Sequence, residues 1–417
     1  MGRKRAVLIG CNYPGTKAEL RGCVNDVKRM HDCLVNRFGF REEDITVLID
    51  TDPSYTQPTG KNIRLALSRL ISSASPDSGD LLFVHYSGHG TRLPAESGDD
   101  DDTGYDECVV PCDMNLITDE DFRSFVDKVP DGCYITIVSD SCHSGGLIDE
   151  AKEQIGESTN QPQKSSSEEG QSPFNLSSVL QNVVGNALET RELSFDLLKP
   201  RHHGHRAREV ETVVELPGGG KGHVRSRSLP ISTLIEILQQ KTGKQNINVG
   251  MLRTTLFDLF GDDASPKVQK FMSVIMTHFA GEQKGGLMGA VGSLANQFLN
   301  QSLNSSNEGH AQSAMKPPPS RKQVHAGSSN RCLPENSVLV SGCQSDQTSA
   351  DATPSGDPKG AYGALSNAIQ TILSQADGPV SNHELVSKAR QMLKRQGFTQ
   401  RPGLYCGDSH VETPFIC

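Results

Sequence analysis

The chain has 417 residues, with 41 Lys and Arg against 50 Asp and Glu (net charge -9), 35% hydrophobic residues and no Trp. At roughly 150 residues per domain this makes two or three units and at least one sizeable core. The 40 glycines lift the apolar share to the low edge of the globular norm. That excludes collagen-like, mucin-like and wholly disordered chains, and the acidic balance runs against a general nucleic-acid binder.

The apolar run Ala6 to Cys11 is too short for a signal-peptide core, and no run of about 18 apolar residues marks a membrane span. Ala6 stands where N-myristoylation wants Ser or Thr. Cys417 is the last residue rather than the fourth from the end, so prenylation is not expected either. The expected location is cytoplasmic, with the nucleus second. Eleven cysteines without a C-x-x-C pair read as free thiols of a reducing compartment, each by default a small buried apolar residue.

Strands and helices alternate over residues 5–150. Ala6 to Gly10 is a short apolar run ending in Gly, a buried-strand signal. Asp26 to Phe38 carries apolar residues at helical spacing. Ile45 to Ile49 reads as a strand, Lys61 to Ile71 as an amphipathic helix, and Asp80 to Tyr86 as a third strand. A short strand at Cys108 to Val110, a helix near Asp119 to Val129 and a strand at Tyr134 to Val138 follow. This alternation implies an α/β fold with a parallel sheet covered on both faces. In such sheets the working loops lie beyond the carboxyl ends of the strands.

Beyond this region Ser, Gln, Glu and Gly dominate. An amphipathic piece (Phe174 to Leu198), a His- and Arg-rich run and Gly218-Gly219-Gly220 follow. By composition this is a mobile linker. Helical patterns return at Ile231 to Leu238 and Val268 to Phe279, and residues 301–335 are again polar. A strand at Val338 to Val340, helices near Tyr362 to Ser374 and His383 to Arg395, and a strand around Gly403 to Tyr405 close the chain. The expected organisation is a catalytic region 1–155, a flexible linker 156–228, a helical insert with a second flexible stretch 229–335, and a closing region 336–417 that completes the sheet.

Two loops carry chemistry. Tyr86-Ser87-Gly88-His89-Gly90 follows the third strand, and Ser139-Asp140-Ser141-Cys142-His143-Ser144-Gly145-Gly146 follows the strand at 134–138. Neighbouring strands lie about 4.8 Å apart, so His89 and Cys142 can approach each other. A thiol attacks well only as thiolate, a form that a nearby imidazole favours, and His89 can return a proton to a leaving amine. The amides of Gly90 and Cys142 can form an oxyanion hole. The separation of His89 and Cys142 is close to the spacing of about 50 known for caspases, although the local motif differs. A structural Cys and His, or a metal site of His89, Cys142 and His143, are the other readings; the metal reading has no obvious fourth ligand.

Tyr-Ser-Gly-His-Gly and Asp-Ser-Cys-His-Ser-Gly resemble the catalytic motifs of metacaspases. Gly22-Cys23-Val24-Asn25-Asp26-Val27 and the stretch Ser341 to Ala352 are similar to further metacaspase signatures. The layout, with a long linker and no proline-rich leader, resembles plant type II members. The resemblance implies a caspase-like fold, Cys142 as nucleophile, His89 as its partner, and cleavage after Arg or Lys. Asp26 and Asp140 at the strand ends agree, because paired carboxylates bind a guanidinium or ammonium group. Asp26 also reads as a helix N-terminal acid favoured by the dipole. Family comparison adds Cys23 and Ser87 to the pocket.

The resemblance further implies calcium (Ca2+) as an activator that takes no part in the chemistry, held by Asp106, Asp119, Glu120 and Asp149. The nearby run Asp99 to Asp102 opens like an EF-hand loop but has Val110 where Glu is required, and otherwise reads as a solvated acidic loop. Members are made as zymogens whose linker fills the cleft until cut. Arg227 is the expected cleavage point, with Arg225 and Lys221 as lesser options and a plain basic linker as the alternative. Expected partners are protein substrates with Arg or Lys at the cut and the chain's own linker as autoinhibitor. Neither nucleic acid nor membrane is expected, and the chain is expected to be a monomer. Family roles lie in stress, wounding and cell death. An Asp-cutting caspase and a catalytically silent calcium-sensing scaffold remain the rival functions.

Overall fold

The computed structural model describes residues 2–94, 105–142, 153–155, 212–216, 220–279, 336–343, 347–355 and 357–416. The strands are β1 (Lys4–Gly10), β2 (Ile45–Ile49), β3 (Leu81–Ser87), β4 (Gly90–Pro94), β5 (Tyr105–Val109), β6 (Ile117–Thr118), β7 (Tyr134–Asp140), β8 (Glu153–Ile155), β9 (Thr212–Leu216), β10 (Gly220–Ser226), β11 (Ser337–Ser341), β12 (Ala350–Pro354), β13 (Tyr362–Gly363) and β14 (Gly403–Cys406). Seven of them form the central sheet in the order β2-β1-β3-β7-β11-β14-β8. The pairs from β2 to β11 are parallel, and β14 is antiparallel to both neighbours.

The fold is caspase-like, and the strand residues show why the sheet is covered on both faces. Val7, Ile9, Leu82, Val84, Tyr86, Ile135 and Ile137 point to one apolar layer. Ala6, Leu8, Phe83, Val138, Val338 and Val340 point to the other. This is the period-two alternation of a sheet buried on both sides. Helix α1 (Cys23–Phe38) and the helices Ala364–Gln375 and Asn382–Arg395 cover the second layer. Helices α2 (Gly60–Ser72) and α3 (Asp119–Val126) and the insert helices Ile231–Thr242 and Leu252–Phe260 cover the first. The start of α3 is fixed by a capping box between Thr118 and Asp121.

The expected strands and helices appear with shifts of a few residues at their ends. Helix α1 starts at Cys23, three residues before the expected Asp26, so Asp26 lies in its first turn. The segment Phe174 to Leu198 lies outside the described residues. Within the compositionally mobile stretch, β9 and β10 form a hairpin, and β10 adds to β12 in a four-stranded sheet ordered β13-β12-β10-β9. A three-stranded sheet, β4-β5-β6, stands beside the carboxyl ends of the central strands.

Candidate active site

The register of β3 and β7 pairs Ser87 with Asp140, so His89 and Cys142 each lie two residues beyond the same rung. The two loops touch through their backbones. A Cβ on Gly90 would fall 1.8 Å from the Cys142 carbonyl oxygen, so glycine alone fits there. Both His89 and Cys142 are buried. The hydroxyl of Tyr13 accepts the His89 N–H at 2.9 Å and donates to the Val110 carbonyl at 2.6 Å. The Tyr86 hydroxyl donates to the His89 carbonyl at 2.8 Å. These bonds hold the His89 backbone.

The His89 ring places Nε2 2.9 Å from the Ala18 carbonyl, while Nδ1 is buried without a hydrogen-bond partner. Burial disfavours the imidazolium and pulls the His89 pKa down to about 4. Burial likewise pushes the Cys142 thiol well above its ordinary value, with neighbouring Cys343 adding to the rise. The Cys142 Sγ accepts the Ser349 N–H at 2.9 Å and lies 3.9 Å from the Ser226 hydroxyl. Burial thus works against the charged form of both the thiol and the imidazole in this arrangement.

The chain's own segment after β10 lies against both loops. The Arg227 N–H donates to the Ser349 carbonyl, and the Gly90 N–H donates to the Arg227 carbonyl, both at 2.9 Å. The Arg227 side chain is fully buried among acids. Its Nη2 lies 2.9 Å from Asp26 and 3.0 Å from Asp351, and its Nη1 lies 3.3 Å from Asp140. Nη1 also donates to the Ser87 hydroxyl and to the Asp140 carbonyl, both at 2.8 Å. The Ser87 hydroxyl in turn donates to Asp26 at 2.8 Å. Cys23, also buried, is close enough for Arg227 to act electrostatically on its thiol.

Burial works against the charge of Arg227, but Cys23, Asp140, Asp26 and Asp351 outweigh it and hold the guanidinium cationic. Burial raises the Asp140 and Asp351 carboxyls above their ordinary range, and Arg227 opposes the rise in both. A Cβ on Gly363 would fall 2.3 Å from an Asp140 oxygen and 2.4 Å from the Arg227 Nη1, so the pocket is closed on that side by glycine.

Cys23, Asp26, Ser87 and Asp140 thus surround one arginine, and that arginine is Arg227. Arg225 is elsewhere, donating from its guanidinium to the Glu19 carbonyl at 2.7 Å. Sequence reasoning missed Asp351. It lies in the stretch Ser341 to Ala352 that carries the resemblance, but its place beside Arg227 depends on the β10–β12 pairing.

Of the residues expected to hold calcium, Asp149 lies outside the described residues, as does Asp99 to Asp102. Asp106 is buried on β5, and Asp119 and Glu120 open α3. Burial, then the neighbouring Asp106 carboxylate, pushes the Asp119 pKa up to about 8. Asp106 is paired with Arg253 at 2.6 Å and Lys267 at 2.7 Å, both from the insert, and Lys267 also reaches Glu120 at 3.6 Å. Among the described residues no group of three or more His, Cys, Asp or Glu side chains is arranged to hold a metal ion. Also among them, no helix is long and apolar enough to cross a membrane.

Comparison with known proteins agrees with the fold. The family model described as Caspase domain matches residues 3–411. Metacaspase-4 of Arabidopsis thaliana is 60% identical over 99% of this chain and 100% of its own length. Metacaspase-7 of the same plant is 53% identical with the same coverage. Metacaspase-1A of Aspergillus terreus is 44% identical over 153 residues, 36% of this chain and 37% of its own.

Proposed function

The chain belongs to the metacaspase family of caspase-like cysteine proteases, and from that premise we propose that it is a calcium-dependent endopeptidase that cuts after Arg or Lys. It is made as a zymogen and opened by cleavage of its own Arg227–Ser228 bond. The observation that carries this reading is Arg227 itself. Its guanidinium is buried against three carboxylates, and its carbonyl lies on the Gly90 amide beside Cys142.

The roles follow from chemistry. The Cys142 sulfur attacks the Arg227 carbonyl carbon while the thiol proton passes to His89, whose Nδ1 is unpartnered. The carbonyl oxygen becomes an oxyanion on the Gly90 N–H, with the Cys142 amide as second donor. His89 then protonates the leaving amine of Ser228, and water releases the acyl group. In protein substrates Arg or Lys takes the place of Arg227 among Asp26, Asp140, Asp351 and Ser87. An Asp-cutting protease would need cations where those acids stand. With the segment in place, burial works against the charged forms of both partners of the dyad, which favours a low-reactivity state in the uncut chain.

Calcium enters as the switch. Carboxylate oxygens are the donors it prefers, and Asp106, Asp119, Glu120 and Asp149 are the residues that would supply them. Asp149 stands seven residues past Cys142 in the sequence, so it would tie such an ion to the segment that carries the nucleophile. In the uncut chain Arg253 and Lys267 neutralise Asp106, so the ion competes with two tethered cations for that carboxylate. The test uses fluorogenic peptides ending in Arg, Lys or Asp, with and without calcium. Calcium-dependent hydrolysis of the first two supports the reading. Hydrolysis of the Asp peptide alone, or of none, overturns it.

A further inference from the structure

The residues after the expected cut are held as specifically as those before it. Before the cut, β10 pairs antiparallel with β12. After it, the chain changes partner and runs parallel to the start of β4, with Ser228 opposite Gly90. Gly90 donates its N–H to the Arg227 carbonyl and accepts the Leu229 N–H, both at 2.9 Å. The next residue, Thr91, donates its hydroxyl to the Leu229 carbonyl at 2.8 Å and is itself buried. Both main-chain polar groups of the second residue past the cut are therefore taken up by Gly90 and Thr91.

We infer that Gly90 and Thr91 form a binding site for the main chain of the second residue that follows the scissile bond in protein substrates, with the Gly90 carbonyl setting the requirement for an N–H and the Thr91 hydroxyl adding affinity. The inference rests on the protease reading above and extends it to the far side of the cut. The substrate class is an extended peptide that presents a free main-chain N–H at the second position past the cut. Proline there is excluded, because it has no N–H to offer the Gly90 carbonyl. Proline one position later is accepted, as Pro230 is here. The inference assigns no side-chain preference, since the Leu229 side chain belongs to the apolar cluster that also contains Leu234 and Ile237 of its own segment.

The test compares the calcium-activated protein and its Thr91→Val and Thr91→Ser variants on two substrate types. One is an Arg peptide with a fluorophore directly after the arginine. The other is a set of internally quenched peptides spanning the cut, with Leu, N-methyl-Leu or Pro at the second position after it. The expected result is a kcat/KM at least tenfold lower for the N-methyl-Leu and Pro peptides than for the Leu peptide. Thr91→Val lowers the ratio of kcat/KM on the spanning Leu peptide to that on the truncated substrate about tenfold, and Thr91→Ser restores it. Equal cleavage of all three spanning peptides, with the truncated Arg substrate still turned over, overturns this inference and leaves the protease reading standing. Absence of cleavage of every Arg substrate overturns both.

Discussion

Asp351 is the acid of the arginine pocket that only the fold brings into place, and its replacement by Asn can be worked through. Asp351 Oδ1 accepts from Arg227 Nη2 and from the Gly22 N–H, both at 3.0 Å, and Oδ2 accepts the Arg21 N–H at 3.0 Å. Asp351→Asn keeps the shape and removes one of three carboxylates. A hydrogen bond to a charged partner contributes about 1.5–3 kcal/mol, and about 1.4 kcal/mol is tenfold, so kcat/KM on an Arg peptide should fall roughly 10- to 100-fold. The guanidinium spreads its contacts over Nη1 and Nη2, and Asp351 reaches only Nη2. A lysine ammonium is a single point charge that cannot span both sets. The Arg-to-Lys preference should therefore shrink along with the Arg rate. The amide also turns an N–H toward Arg21 or Gly22, so thermal unfolding of the variant must be measured beside the kinetics. An Arg kcat/KM within threefold of wild type, on an intact fold, refutes this account of the pocket.

Other perturbations follow from the same geometry. Tyr13→Phe strands the buried His89 N–H, and urea unfolding should show a loss of about 1–3 kcal/mol with reduced kcat; an unchanged midpoint contradicts the role given to Tyr13. In the uncut Cys142→Ala chain His89 should stay neutral from pH 8 to about 5 and take its proton near 4. Burial disfavours the charged form, so exposure after cutting returns the titration toward its ordinary value of about 6.5. Histidine NMR reads both states, and titration near 6.5 in the uncut chain refutes the burial argument. Replacing Arg253 and Lys267 together by Gln should lower the calcium concentration for half-maximal self-cleavage by about tenfold, equivalent to ~1.4 kcal/mol. An unchanged requirement, read from gels across a calcium series, removes those two cations from the switch.

Much of the fold is legible in local pattern. The runs Ala6 to Gly10, Ile45 to Ile49, Asp80 to Tyr86 and Tyr134 to Val138 carry the apolar signal of strands buried on both faces, and the helices between them carry an apolar stripe. The two Gly-flanked loops follow from strand ends, because a parallel sheet puts its carboxyl ends on one edge. Local pattern fails where order comes from distant partners. Residues 212–216 and 220–226 flank a run of glycines, and they pair as strands β9 and β10 beside β12, which comes from far along the chain. Asp351 enters the pocket by that same pairing. Arg253 and Lys267 occupy helix positions that read as ordinary solvated cations until helix packing sets them against Asp106.

The central claim is that the buried Arg227 marks a bond the chain cuts for itself. Intact-mass analysis of the purified protein, with and without calcium and beside Cys142→Ala, tests it most directly. The account predicts a calcium-triggered fragment ending at Arg227 in the wild type and an intact chain in the variant. A wild-type chain that stays whole in calcium, or a Cys142→Ala chain that is cut at the same bond, contradicts it.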